Sequence, residues 1–191
     1  VDPARFVLVS EPAEVEQLHI PEAGYQIQNW AHPTLIEALA RFPFRTPRPG
    51  YRLWLSRSRL SEEAGNVIDM EALEHRLETE GWQIAHPQEH SIAAQLEMMA
   101  DAEVVGGLAG SALHTLVLGR DTRCRVAVVP RDNHLSENFN TIARAKGLHQ
   151  CVVPVQLEHL RGQGPRAQTR LHPEIGINIL KGVASLLSIN L

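Results

Sequence analysis

Only two cysteines, Cys124 and Cys151, occur in 191 residues. They are too few for a disulfide framework and match no zinc ribbon, so both are expected as reduced packing residues in buried strands. Long apolar runs are missing too: none approaches the roughly 18 residues that a membrane-spanning helix needs. The opening residues VDPARFVLVSEP lack the basic start and cleavage site of a secretory signal, and a cytoplasmic location is the expectation. There is no excess of positive charge. Lys and Arg number 18 against 22 for Asp and Glu, which argues against the broad basic field that draws a protein onto nucleic acid or anionic lipid. No GxxxxGK[ST] or GxGxxG loop occurs, no acidic DxD triplet stands ready to hold a divalent cation beside a diphosphate, and no serine lies in a GxSxG elbow. His86 and His90 have the spacing of a metal pair, but Pro87 between them breaks the single helical face such a pair requires. Neither a metal nor a cofactor is expected.

What is present is a rhythm. From Tyr51 onward short apolar runs alternate with helical patterns, as in a parallel sheet covered by helices. RLWLS is the first strand, followed by a helix in MEALEHRLETEG with Met70, Leu73 and Leu77 on one face and Gly81 at its end. WQIAHP is the second strand, and Ser91 caps a helix whose apolar face is Ile92, Leu96 and Met99. AEVVGG is the third strand; a helix then starts near Ser111 and runs through Leu113, Leu116 and Val117. CRVAVVP, the helix ENFNTIARAKG with Phe139, Ile142 and Ala143 inward, and QCVVPV complete the pattern. Five strands with four crossovers predict a doubly wound, Rossmann-like α/β domain over residues 51–160.

The flanks differ. FVLVS and VEQLHI read as two strands, HPTLIEALARF as a short helix and FPFRTPRPG as a proline-rich connector. Residues 1–50 are therefore expected to be a remnant of an amino-terminal domain plus an interdomain connector, with a boundary near Gly50. Residues 161–191 read as a loop and a helix carrying Ile175, Ile179, Val183 and Leu186 at helical spacing, with Pro173 in its first turn. That helix should dock on an apolar surface at the domain interface. The chain starts at Val1 rather than Met, and is expected to be a piece of something longer.

In an open α/β sheet the ligand lies outside the carboxyl ends of the strands, where strand order reverses. Four loops meet there: SRSRLSEEAGN, PQEHS, GLAGSALH and PRDNHLSEN. In GLAGSALH, Gly107 and Gly110 would let a backbone approach a phosphate, Ser111 offers a hydroxyl and the helix start offers free amides. The same letters equally suit tight helix packing with Ser111 as a cap. His114 is open between a core histidine and a ligand contact. Ser56 and Arg57 end the first strand, and a guanidinium there suits a diphosphate; the alternative is an ion pair with Glu62 or Glu63. Arg59 reads as a solvated charge. Glu89 and His90 could contact a sugar hydroxyl or simply be exposed, and Gln95 is either a contact or a polar flank.

With RLWLSRSR, then GWQIAHPQEHSIAAQLEMMADAEVVGGLAGSALHTLVL, the chain resembles glycosyltransferase family 61 over about residues 50 to 155. The matching pieces are Ser56 and Arg57 at a strand end, Gly81 and Trp82 before the second strand, Gln95 on the next helix, and Gly110, Ser111, Ala112, Leu113 and His114. Two departures bear on donor preference: Asn66 is followed by Val67 and Ile68, and Thr115 stands where Asn is common. The resemblance implies the nucleotide-sugar half of a two-domain GT-B glycosyltransferase, inverting and metal-independent, whose bacterial members include proteins of capsular polysaccharide biosynthesis. It implies that Ser56, Arg57, Gln95, Gly110, Ser111 and His114 bind a nucleotide sugar as substrate. A glycan acceptor is the second partner; the missing amino-terminal domain or a second copy of the chain is a further one. The catalytic base is unassigned, with Glu89 and His90 as candidates. A rival reading from another class is a noncatalytic α/β module derived from such a transferase.

Overall fold

A computed structural model of the chain describes residue 4 and residues 7–61, 67–131, 134–155, 157–162, 168–171 and 175–188. Five parallel strands form the central sheet: β1 (Arg52–Leu55), β2 (Trp82–Ala85), β3 (Val104–Leu108), β4 (Arg125–Val129) and β5 (His149–Val152). Their order across the sheet is β5-β4-β3-β1-β2. The central strands β3 and β4 are rich in valine and buried almost throughout, as strands covered on both faces require, while the edge strand β5 exposes His149 and Val152.

The helices are α1 (Pro33–Leu39), α2 (Met70–Thr79), α3 (Ile92–Met99), α4 (Ser111–His114), α5 (Glu137–Lys146) and α6 (Ile175–Ser188). One sheet face is packed by α2 and α6, with Trp54, Met70, Leu77, Val104 and Ile179 in its core. The opposite face is packed by α3, α4 and α5, around Leu55, Leu96, Met99, Val105, Leu116 and Val128. Burying each such side chain contributes about 1.5–3 kcal/mol. Helix ends follow the local chemistry. Ser91 accepts a hydrogen bond from the Ala94 amide at the start of α3, and Gly147 closes α5 with a φ of 68° that favours glycine.

The chain leaves β1 toward β2 on one side and leaves β3 toward β4 on the other. Neighbours β1 and β3 pair in register from Arg52–Val104 to Leu55–Gly107, and the reversal of strand order lies between them. This doubly wound arrangement is the one expected from the alternation of apolar runs.

Several elements differ from the expectation. The described residues 7–10 and 15–20 form no strand, and Val7, Leu8, Val9, Val15, Leu18 and Ile20 are exposed. An apolar run becomes a strand only when a neighbour takes up its backbone groups, and among the described residues none does so. The first paired strands are instead the short hairpin Tyr25–Gln26 and Trp30–Ala31, which the Tyr25 hydroxyl anchors to Asn138 of α5 at 2.7 Å. Residues 42–50 run along the sheet domain. Phe42–Pro43 pairs in parallel with Gly119–Arg120, Phe44 is buried, and Arg45 and Arg48 reach Glu97 and Asp101 at 2.9 and 2.7 Å.

After β5 the chain forms a hairpin, Leu157–Arg161 with Gln168–Leu171, which adds the strand Val67–Ile68 in parallel. Arg170 ties it to Asp69 and Glu158. In α6 the expected apolar stripe is buried at Ile179 and Val183, packed on the sheet face beside α2. Pro173 and the side chains of Ile175 and Leu186 lie outside the described residues.

Candidate functional site

A pocket of about 260 Å³ opens at the carboxyl ends of β1, β2 and β3. Its walls include Ser56, Arg57, Pro87, Ile92, Gln95, Gly110, Ser111 and Thr115. Five of the residues singled out in the sequence, Ser56, Arg57, Gln95, Gly110 and Ser111, thus lie around one space at the switch point. Among the described residues no Asp, Glu or His lines it.

Arg57 lies two residues beyond Leu55, the last residue of β1, and its guanidinium lies directly on Gly110. A Cβ placed on Gly110 would stand 2.7 Å from Nη1. The backbone of Gly110 is extended, with φ −168°, so glycine serves here by leaving room and not by its conformation. Burial lowers the Arg57 pKa to about 10, and repulsion from Arg131, just beyond β4, adds to the fall. The side chain stays charged at neutral pH, and two cations come together where the strand ends converge. Arg131 was not singled out in the sequence, although its loop was. The expected partners Glu62 and Glu63, with Asn66, lie outside the described residues.

The two other glycines of the run GGLAG serve packing. Gly106 lies under the tryptophans, where a Cβ would meet Trp54 at 3.0 Å and Trp82 at 3.1 Å. Gly107 lies 3.0 Å, by the same measure, from the carbonyl oxygen of Leu55. The helix that follows is shorter than its pattern suggests: α4 is four residues, continued as a 3-10 turn over Thr115–Leu118. A single turn aligns few peptide dipoles, so the electrostatics of the pocket rest on the guanidinium. Ser111 is the first residue of that turn, and the cap position before it is Gly110, which has no side chain to cap with.

Gln95 is buried, 8 % exposed. Its amide nitrogen donates to the carbonyl oxygens of Pro87 at 2.8 Å and His90 at 3.1 Å, which holds the loop after β2 in place. The amide oxygen takes no donor from the described residues. Ile92, expected inward on α3, is half exposed, 51 %, and forms part of the pocket wall.

Ser56 is 1 % exposed, and its hydroxyl is engaged from behind. It donates to Glu74 Oε1 of α2, while the Ser58 hydroxyl donates to Oε2 at 3.1 Å. Glu74 shares the inner face of α2 with Met70, Leu73 and Leu77. A carboxylate at that spacing on an apolar stripe is the signal by which sequence reasoning could have found it.

The remaining candidates lie away from the pocket lining. His114 packs on the ring of Phe139, centroids 4.4 Å apart, with Nε2 buried and without a hydrogen-bond partner among the described residues. Burial lowers its pKa below the ordinary 6.5. The unfolded chain therefore binds this proton more readily than the folded one. Stability is held above pH 6.5 and lost as pH falls from there toward the folded pKa. His114→Leu is expected to lose less melting temperature than the parent between pH 7.5 and pH 5 in paired thermal scans. Equal losses would reject that assignment. Glu89 is exposed and bound by Arg59 at 2.9 and 3.0 Å, which holds its pKa below the usual carboxylate range. The ring of His90 is exposed. Cys124 is buried, with its thiol pushed up to about 12 by burial, and Cys151 is shifted up for the same reason; neither is a reactive thiolate.

Among the described residues no helix is long and apolar enough to cross a membrane. Among solved structures, the crystal structure of the flavodoxin-like domain of a Synechococcus sp. protein aligns with a TM-score of 0.40 and 12% sequence identity, over 71% of this chain and 98% of that one. No curated protein matches the chain. The family model described as Glycosyltransferase 61 matches residues 4–127, a span that contains β1, β2, β3 and every residue lining the pocket. The chain belongs to glycosyltransferase family 61, and its activity is that of a glycosyl transferase.

Proposed function

We propose that the pocket between β1 and β3 receives the diphosphate of a nucleotide-sugar donor, and that the sugar passes to a glycan acceptor with inversion and without a metal. The observation that carries this reading is the Arg57 guanidinium seated on Gly110 at the switch point. In a direct displacement the acceptor oxygen bonds to the anomeric carbon as the bond from that carbon to the diphosphate breaks. Negative charge grows on the leaving diphosphate, and a fixed guanidinium in a partly dry pocket stabilises it at the transition state more than in the ground state. Arg57, with Arg131 near it, supplies the positive charge that a divalent cation supplies elsewhere. The pocket is at the small end for a whole ligand, so it takes the diphosphate and an adjoining group while the rest of the donor lies over its open mouth.

The acceptor hydroxyl must give up its proton, and among the described residues the pocket walls hold no group suited to take it. Glu89 is a poor base because Arg59 stabilises its ionised form, and His90 stands clear of the lining. We place the base outside the described lining, as in the donor-binding half of a two-domain enzyme. A cytoplasmic role in surface or capsular polysaccharide synthesis fits a donor of this class.

Titration calorimetry of the chain with UDP, GDP and CMP tests the proposal. UDP or GDP is expected to bind with a Kd between about 10 μM and 1 mM, equivalent to roughly 4–7 kcal/mol, and CMP, which has a single phosphate, more weakly. Absence of heat for all three at millimolar concentration would end the donor-site reading.

A further inference from the structure

Arg57 stands between two serines that share one buried carboxylate. The Ser56 and Ser58 hydroxyls reach the two oxygens of Glu74, their own oxygens are 3.0 Å apart, and the Ser58 amide donates to Ser56 Oγ at 3.0 Å. Ser56 is 1 % and Glu74 9 % exposed. The guanidinium between them meets Gly110, which belongs to the loop opening α4 on the far face of the sheet from α2. The tripeptide Ser56-Arg57-Ser58 is therefore gripped from the α2 side while its central side chain projects to the α4 side. We infer that Glu74 is a positioning residue for the anion site: through the two serines it fixes the backbone at the end of β1, and so aims Arg57.

The physical case is one of freedom removed. A strand end followed by a turn has its own backbone mobility, and an arginine has several rotatable bonds; a ligand that must order both loses affinity. Two hydrogen bonds to an ionisable acceptor, among the stronger kinds, order the backbone beforehand. Glu74 sits behind the loop and is not part of the pocket lining, so it acts through the serines it holds and the arginine between them. The carboxylate has no apparent packing purpose on a face otherwise made of Met70, Leu73 and Leu77, where an aliphatic side chain would cost less to bury.

This inference rests on the reading of Arg57 as a diphosphate ligand, and one experiment separates the two. Binding of inorganic pyrophosphate and UDP is measured by calorimetry for the parent chain, Arg57→Ala, Glu74→Ala, Ser58→Ala and the double variant Arg57→Ala/Glu74→Ala, with circular dichroism as a check on folding. Glu74→Ala is expected to weaken both ligands at least tenfold, and Ser58→Ala about threefold to tenfold. In the Arg57→Ala background the Glu74 substitution should add less than a further twofold, because its effect passes through Arg57. Glu74→Gln, whose amide can both accept from one serine and donate to the other, should recover most of the loss. If Glu74→Ala is folded and binds within twofold of the parent while Arg57→Ala does not bind, the positioning role is refuted and the anion site stands. If Arg57→Ala binds pyrophosphate as the parent does, both readings fall. Should Glu74→Ala fail to fold, Ser58→Ala decides: parent-like affinity overturns the inference.

Discussion

Arg57→Ala is expected to weaken UDP and inorganic pyrophosphate by the same factor, between about thirtyfold and several thousandfold. Removing one member of a desolvated, hydrogen-bonded charge pair costs about 2–5 kcal/mol, and each 1.4 kcal/mol is tenfold. The factor should be shared because the two ligands have only the diphosphate in common, and uridine, which lacks it, should bind the variant as it binds the parent. Arg57→Lys restores the charge without the planar fork that pairs two oxygens at once, so its affinity should fall between the other two. Calorimetry at two ionic strengths adds a second readout, since the parent should lose affinity with salt more steeply than Arg57→Ala. A variant that keeps the parent's pyrophosphate affinity would remove the guanidinium from the site.

How much of this was legible beforehand differs from element to element. The inner sheet strands show in the letters because each carries a short apolar run bounded by polar loops, and a covered parallel strand has no solvent face to interrupt it. Strand order does not show in that way; it depends on the side to which each crossover turns. The apolar letters of residues 7–10 and 15–20 suggested strands, yet a strand exists only by pairing with a neighbour, and a single segment says nothing of its neighbour. After Gly110, Leu113 and Leu116 are buried as their period predicts while Val117 is half-buried, because the backbone tightens to a 3-10 turn after His114, and that histidine meets Phe139 instead of the pocket.

The glycine run is the sharpest case. Its letters told that something must come close to the backbone, and three different things do: the tryptophans at Gly106, the neighbouring strand at Gly107 and the Arg57 side chain at Gly110. Glycine records the demand for space without recording what fills it. The same holds for Ser56, whose partner Glu74 is eighteen residues away. That pairing follows from packing α2 under β1, a contact that local spacing cannot express.

Trp54→Ala is expected to be the most destabilising single truncation in the sheet, by about 3–5 kcal/mol. Trp54 is fully buried on β1, and Trp82 on β2 is nearly so. Their rings meet edge to face, centroids 6.1 Å apart, against the space that Gly106 leaves on β3. Truncation would open a cavity across three strands, and a rigid parallel sheet closes such a gap only in part. For a chain of this length that corresponds to a fall of roughly 6–20 °C in melting temperature, readable by calorimetry or circular dichroism. Trp54→Phe supplies the contrast. The indole nitrogens of both tryptophans are buried without a hydrogen-bond partner among the described residues, so phenylalanine removes an unsatisfied donor while keeping most of the apolar area. It should therefore lose much less than half of what alanine loses. Equal losses for the two variants would show that the indole nitrogen is satisfied after all. Because Trp54 lies on β1 two residues before Ser56, which follows the strand's end, Trp54→Phe should also keep pyrophosphate affinity near that of the parent, tying the stability of β1 to its geometry at the pocket and not to any contact of the ring with ligand.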